Sequence, residues 1–364
     1  MAPVESAAME PRPSRFARYS LAVYGFLVVY GSLYPLAGWR DQGLSPFEFL
    51  AAPLPRYLTG FDLAANVVAY VPLGALAVIA AAPRIRGAAA VVAAVALAAG
   101  LSLALEALQT YLPDRIPSNV DLATNVLGGF LGALAGLAVW RALVARGGAH
   151  AVRDRLFRPG AATDAGLVLV ALWLFTQLNP ETLAFGNGDL RGFFDTAEAE
   201  LYAPETFARI EAAVAALNVV AVALLLAVLA NAGQPARLLA LGVLAAAAIA
   251  RAGAFAVMFA PGEALAWLTP GAAGGIALGA AAAAILAGLP RHWRIALAGL
   301  ALMTATALVN LAPENPYLAH SLAAWPRGHF LNFNGLTRLV SALWPFAALA
   351  WLLAGAVRER PGGG

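Results

Sequence analysis

The sequence predicts an all-α fold: a polytopic integral membrane helical bundle of about ten transmembrane helices, with a parallel two-helix repeat in its N-terminal half. Three observations predict it. Hydrophobic residues make up 61% of the 364 and charged residues only 12%, with a mean hydropathy of +0.75. A water-soluble domain is nearer half apolar and a quarter charged, so this excess exceeds what an aqueous core can hold. Apolar runs of about the length needed to cross a bilayer recur along the whole chain, separated by Arg, Pro and Gly. Arginine is unevenly shared between alternate connections, as in membrane proteins of defined orientation.

Taken in order, the expected spans are 19–36, 61–82, 87–112, 121–144, 165–178, 209–231, 237–259, 271–289, 293–311 and 336–357, the fifth being short. All 23 basic residues are arginine. Fifteen, including Arg15, Arg18, Arg84, Arg86, Arg141, Arg153, Arg155, Arg158, Arg291 and Arg294, fall on one side. Seven, including Arg40, Arg115, Arg191 and Arg338, fall on the other, and Arg251 lies inside a span. The arginine-rich side is the expected cytoplasmic one and holds both termini. Acidic residues gather on the opposite side, with Glu181, Asp189, Asp195, Glu198, Glu200 and Glu205 between the fifth and sixth spans. The first span follows Arg15 and Arg18 like a signal peptide, but it exceeds an h-region in length and reads as an uncleaved anchor.

This organisation divides the chain into a cytoplasmic segment 1–18, a four-helix membrane domain 19–145, a basic cytoplasmic linker 146–163 and a six-helix membrane domain 164–358. The linker's arginines suit contact with anionic headgroups.

The repeat is visible in the residues. Asp62-Leu63-Ala64-Ala65-Asn66-Val67 in the second span matches Asp121-Leu122-Ala123-Thr124-Asn125-Val126 in the fourth at five of six positions. The string LGALA then occurs at 73–77 and again at 131–135. Both spans run in the same direction, so the unit repeats in parallel and not inverted. Asp and Asn four apart share one helical face. Thr59 and Ser118 each precede an Asp by three, so a capping role for Asp62 and Asp121 stands beside a binding role. Asn66 and Asn125 could equally tie helices together.

The third span carries Ser102, Glu106 and Gln109 at spacings of four and three, followed by Tyr111-Leu112-Pro113-Asp114-Arg115. Glu106 lies about two turns inside the span, and an ionisable group at that depth is a functional-site hypothesis by default. A structural ion pair with Arg115 or Arg251 is the competing account.

In this order and spacing, DLxxN, ExxQ, a nearby Arg, and a second DLxxN before a Gly-rich helix resemble the VanZ-like family of bacterial membrane proteins, over about residues 19–144. The resemblance implies a bacterial cytoplasmic-membrane protein in a family linked to resistance to the glycopeptide teicoplanin. Asp62, Asn66, Glu106, Gln109, Arg115, Asp121 and Asn125 match its motif. The long C-terminal half departs from it.

That half has two turn-rich segments that echo one another, Leu178-Asn179-Pro180-Glu181 with Phe185-Gly186-Asn187-Gly188, and Leu311-Ala312-Pro313-Glu314 with Phe333-Asn334-Gly335-Leu336. Trp325, Phe330 and Phe333 suit an interfacial aromatic belt. His150, His292, His320 and His329 have no metal-ligand spacing, and there is no cysteine, P-loop, dinucleotide fingerprint or GxSxG elbow, so neither metal nor cofactor is expected. A net charge of +3 argues against nucleic acid as a partner.

Three readings of function remain open from the sequence. In the first, an outward-facing polar site binds or modifies a membrane lipid or a lipid-linked or glycan envelope precursor. Glu106 would be its candidate catalytic proton-transfer group, Asp62 and Asp121 would orient hydroxyls or a cation, Asn66, Gln109 and Asn125 would hydrogen-bond, and Arg115 would meet phosphate. The second is a lipid or solute transporter or flippase, hinted at by Pro72, Gly74 and Arg251. The third is a non-catalytic scaffold in which every polar residue is a cap or a tie.

Overall fold

The computed structural model describes residues 14–54, 59–145, 149–191, 204–312 and 327–358. Asp195, Glu198, Glu200, His320 and Trp325 lie outside these residues, as do Arg12, Arg56, Arg146 and Arg360. The described residues form helices and no strands, apart from one isolated antiparallel bridge between Phe157 and Ala230. They divide into two compact units, Met1–Arg153 and Asp154–Gly364.

Eight of the helices are long and apolar enough to cross a membrane, and two apolar ones are shorter, Ala161–Thr176 and Pro270–Leu286. At 1.5 Å per residue these two span about 24–26 Å, short of a hydrocarbon layer of about 30 Å. Of the ten or so expected spans, the fifth of them short, eight are therefore of full length among the described residues. Large apolar side chains face outward, Val92 at 67%, Ile249 at 73% and Ile285 at 76% exposure, while Glu106 and Arg251 are buried. That inversion suits a surrounding solvent of lipid, and the chain is a multi-pass membrane protein.

The first unit contains α1 (Arg15–Leu33), α2 (Gly60–Ala81), α3 (Gly87–Gln109) and α4 (Asn119–Ala145). Its first helix starts four residues earlier than the expected span because the Ser14 side chain accepts the Ala17 N–H at 3.2 Å and caps it. Pro35, which cannot continue a helix, follows its end. The basic linker is not irregular throughout: it holds α5 (Ala149–Leu156), and α6 (Ala161–Thr176) begins inside it.

Glycine sets the core of this unit. A Cβ placed on Gly128, Gly132 or Gly136 of α4 would lie 2.3, 2.0 or 2.6 Å from the carbonyl oxygens of Val67, Val71 and Ala75 of α2. Both series advance by four in the same direction, so α2 and α4 pack in parallel, backbone against backbone. From the other helix, a Cβ on Gly74 would meet the Gly129 carbonyl at 2.0 Å. The small residues Ala90, Ala94, Ala98 and Ser102 form the buried face of α3, where Ala98 closes on Gly129.

The second unit contains α6, α7 (Pro204–Leu229), α8 (Ala236–Met258), α9 (Pro270–Leu286), α10 (Arg291–Leu311) and α11 (Arg327–Arg358). From Asn218 to Leu229 every residue of α7 is buried, as expected for a helix apolar on all sides. Gly271, Gly275 and Gly279 of α9 press on the Ala208, Ala212 and Ala216 carbonyls of α7 at 2.8, 2.2 and 2.5 Å from an added Cβ. These helices too are parallel, held by a glycine every fourth residue. At the C-terminal end of α7, Arg294 Nη1 donates to the Ala227 carbonyl at 2.6 Å and Arg158 Nε to that of Ala230 at 3.2 Å.

The segment after α6, turn-rich by sequence, is largely buried. Residues 183–188 are all buried although none is helical. Irregular backbone can be buried only where its polar groups find partners. The Gly188 N–H donates to the Ser341 carbonyl at 2.8 Å, Asn310 Nδ2 donates to the Gly188 carbonyl at 2.8 Å, and Ser341 Oγ bonds Asn187 Oδ1 at 3.0 Å. Gly188, at φ +87, sits against Thr306 and Pro345, where a Cβ would come within 2.8 Å of both.

Candidate functional site

Polar side chains of the first unit collect where α3 ends and α4 begins. Ser118 caps α4, its Oγ accepting the Val120 and Asp121 N–H groups at 3.2 and 3.4 Å. Its own backbone N–H donates to Glu106 Oε2 at 2.8 Å. Glu106, 3% exposed, thus lies at the N-terminal end of a helix, where unpaired N–H groups and the dipole favour an anion. Arg115 and Asp121 are close enough to act on its charge with opposite sign.

One turn back along α3, Ser102 Oγ accepts from Asn125 Nδ2 at 3.0 Å. Tyr70 of α2 also hydrogen-bonds Ser102 and lies within electrostatic reach of Glu106. Asn125 is 7% exposed, and its Oδ1 is buried without a hydrogen-bond partner. The Asn66 side chain hydrogen-bonds Asp121, with Asp62 acting on it as a nearby like charge. Glu106, Asp121, Asn66 and Asn125 therefore converge, joined by Tyr70, Ser102 and Ser118, three residues outside the expected set.

Three other expected residues make contacts outside this group. Asp62 is exposed and takes part in a cap: Thr59 Oγ1 donates to Asp62 Oδ2 at 2.6 Å and accepts the Asp62 N–H at 3.1 Å. Gln109 turns to α1, where Nε2 donates to the Ser32 carbonyl at 3.0 Å and to its Oγ at 2.9 Å. Arg115 donates to the Tyr34 carbonyl, binding the segment after α1 to the α3–α4 connection. Burial lowers the Arg115 guanidinium from its ordinary value, and Asp114 and Glu106 oppose that shift. Tyr70 was within reach of sequence reasoning, since it follows Asn66 by four and shares its face. Ser32 and Tyr34 carry no such signal.

Chemically, the group offers a buried carboxyl, a second carboxyl half-buried beside an amide, and hydroxyls in series. Such a set can accept and donate protons or hold a polar headgroup. Among the described residues no cluster of three or more His, Asp or Glu side chains is placed to hold a metal ion.

Residues 16–141 match the family model described as VanZ/LLP1, so the N-terminal part of the chain is VanZ-like. No curated protein and no solved structure matches the chain.

Proposed function

We propose, from the premise of a VanZ-like first domain, that the Glu106 cluster binds or modifies a lipid-linked or glycan component of the bacterial cell envelope. One observation carries this reading. Glu106 of α3 and Asn125 of α4 are both buried, Asn125 bonding Ser102 one turn before Glu106, and a buried amide oxygen without a partner costs about 1–3 kcal/mol unless something else repays it. A bound hydroxyl or phosphate-linked headgroup would supply that partner. In this reading all ten apolar helices belong to the membrane of a bacterial cell, the inner one. Both termini are cytoplasmic and the N-terminal ends of α2 and α4 face outward, as the arginine distribution requires. Glu106 would move or hold the proton, Asp121 with Asn66 would orient hydroxyls, and Arg115 at the rim would meet phosphate. The resemblance-based link to teicoplanin susceptibility belongs to the same proposal.

The test is native mass spectrometry of the full chain extracted with its own lipids. Wild type should retain a lipid-linked glycan or phosphate species that Asp121→Asn and Glu106→Gln lose while folding normally. Equal lipid retention by all three proteins would overturn it.

Transport is the second reading, supported by the second unit. Its buried irregular stretch 183–188 is of the kind that lines pathways in transporters. Flux of labelled lipid across vesicles containing the chain separates the two readings.

A further inference from the structure

Arg251 occupies α8 seven residues before its C-terminal end, about 10 Å along the helix, and is 2% exposed. Its Nη1 donates to the Asn179 carbonyl and to Thr182 Oγ1, both at 3.3 Å, and Nη2 donates to the Thr182 carbonyl. Its guanidinium lies over two rings, Phe255 at 5.6 Å and Trp267 at 5.9 Å. None of these partners is a carboxylate. Glu211 of α7, the nearest opposite charge acting on it, is engaged elsewhere: its carboxylate takes the Thr269 hydroxyl and the Ala272 N–H at the start of α9.

Three donors around this cation have no acceptor: Arg251 Nε, Asn179 Nδ2 and Trp267 Nε1 are all buried without a hydrogen-bond partner. The orientation of Asn179 is fixed, because its Oδ1 accepts the Glu181 N–H at 2.9 Å, which leaves the NH2 as the free end. Asn179 is 0% and Trp267 6% exposed. Buried donors in native proteins are paired, so three unmatched donors at one cation mark a ligand with acceptor character and negative charge.

The position of the cluster supports a site. In the first unit, Asn66 immediately precedes the residue whose carbonyl meets Gly128; in the second, Glu211 immediately precedes the residue whose carbonyl meets Gly275. In each unit a buried ionisable residue on the intervening helix, Glu106 on α3 and Arg251 on α8, lies near that level. The two polar centres stand at matching places in their own helix trios, with opposite charge.

We infer that Arg251, Asn179 and Trp267 form a buried binding site for a compact monoanion of the halide class, with chloride as its type. The two terminal guanidinium nitrogens are already committed, which leaves one charge-assisted bond from Nε and not the bidentate fork that suits phosphate. Tight packing, aromatic walls and the residual charge of Glu211 disfavour a dianion, while a weakly hydrated monoanion sheds its water at less cost. Binding there would hold the start of the buried irregular segment against α8 and the α8–α9 connection.

The test uses the full chain in lipid nanodiscs, with thermal unfolding followed while chloride replaces gluconate at constant ionic strength. Wild type should show a saturable rise in Tm. Trp267→Phe keeps an aromatic ring and removes the N–H, and should raise the half-saturating chloride concentration about tenfold. Asn179→Asp keeps the Oδ1 acceptor for Glu181 but replaces the NH2 by a negative oxygen, and should abolish the rise. The wild-type comparison does not depend on either variant folding. Equal Tm in chloride and gluconate would overturn the site, and so would a rise left unchanged in both variants.

Discussion

The Glu106 carboxylate on α3 and the Ser118 backbone N–H that begins α4 are joined at 2.8 Å. One side chain thereby serves two purposes. It stabilises the start of a helix, and it keeps a carboxyl at the meeting point of α2, α3 and α4, where Asn125, Ser102 and Tyr70 already form a chain.

Glu106→Gln retains an oxygen that can accept the Ser118 N–H and loses only the exchangeable proton and the charge. We expect normal membrane abundance and a Tm close to wild type, with loss of the envelope phenotype. Glu106→Leu leaves the Ser118 N–H without an acceptor and should lower stability by about 1–3 kcal/mol. Thermal unfolding together with a complementation assay separates the two variants. Wild-type behaviour of both would leave the scaffold account standing.

Gly132→Ala places a methyl 2.0 Å from the Val71 carbonyl, so α2 and α4 must separate. Overpacking of this kind costs about 1–3 kcal/mol or more. Gly100→Ala on α3 meets nothing within 4 Å and should be neutral or stabilising, since alanine is the better helix former. The Tm difference between the two variants measures the close approach directly.

Gln109→Ala should loosen α1 without disturbing the Glu106 cluster. Its two bonds to Ser32 predict a loss of about 0.5–1.5 kcal/mol each. A Gln109→Ala, Ser32→Ala double-mutant cycle should show coupling, and lipid retention should be unchanged. Loss of retention with intact stability would return Gln109 to the binding set.

Asp62 and Asp121 should part company although their motifs match. Thr59→Ala removes the cap that holds Asp62 and should cost about 1 kcal/mol. Asp62→Asn should leave function intact, while Asp121→Asn should impair it at normal abundance. Identical behaviour of the two Asn variants in a lipid-retention assay would show that the repeat is functionally symmetric.

Much of the frame was legible because length and apolarity alone mark a membrane helix, and Glu106 stood out because a carboxyl inside such a run is costly. Direction was harder to read. Ser102, Glu106 and Gln109 share a helical face, yet Gln109 is long enough to reach α1, and no spacing within α3 discloses Ser32 on another helix. Asp62 and Asp121 are the same residue in the same motif, but the Asn66 side chain hydrogen-bonds Asp121 on the other helix, which is a fact of packing between helices. The stretch from Asn179 to Gly188 reads as a surface turn from its Asn, Pro and Gly content. It is buried because Arg251, Asn310 and Ser341, roughly 70 to 160 residues away, satisfy its polar groups.

Parallel packing of α2 with α4 also has an electrostatic result. A helix carries roughly half a positive elementary charge at its N-terminus, and antiparallel neighbours cancel one another at each end. Two parallel helices in backbone contact add instead, about half a charge each, and the C-terminal ends of α1 and α3 beside them offset part of that sum. Asp62 and Asp121 in their first turns answer it, as does the carboxylate of Glu106. The glycines that bring these backbones together therefore do more than fill space: they set two helix N-termini side by side, a source of positive potential carried by peptide groups and independent of pH, next to Asp62, Asp121 and Glu106.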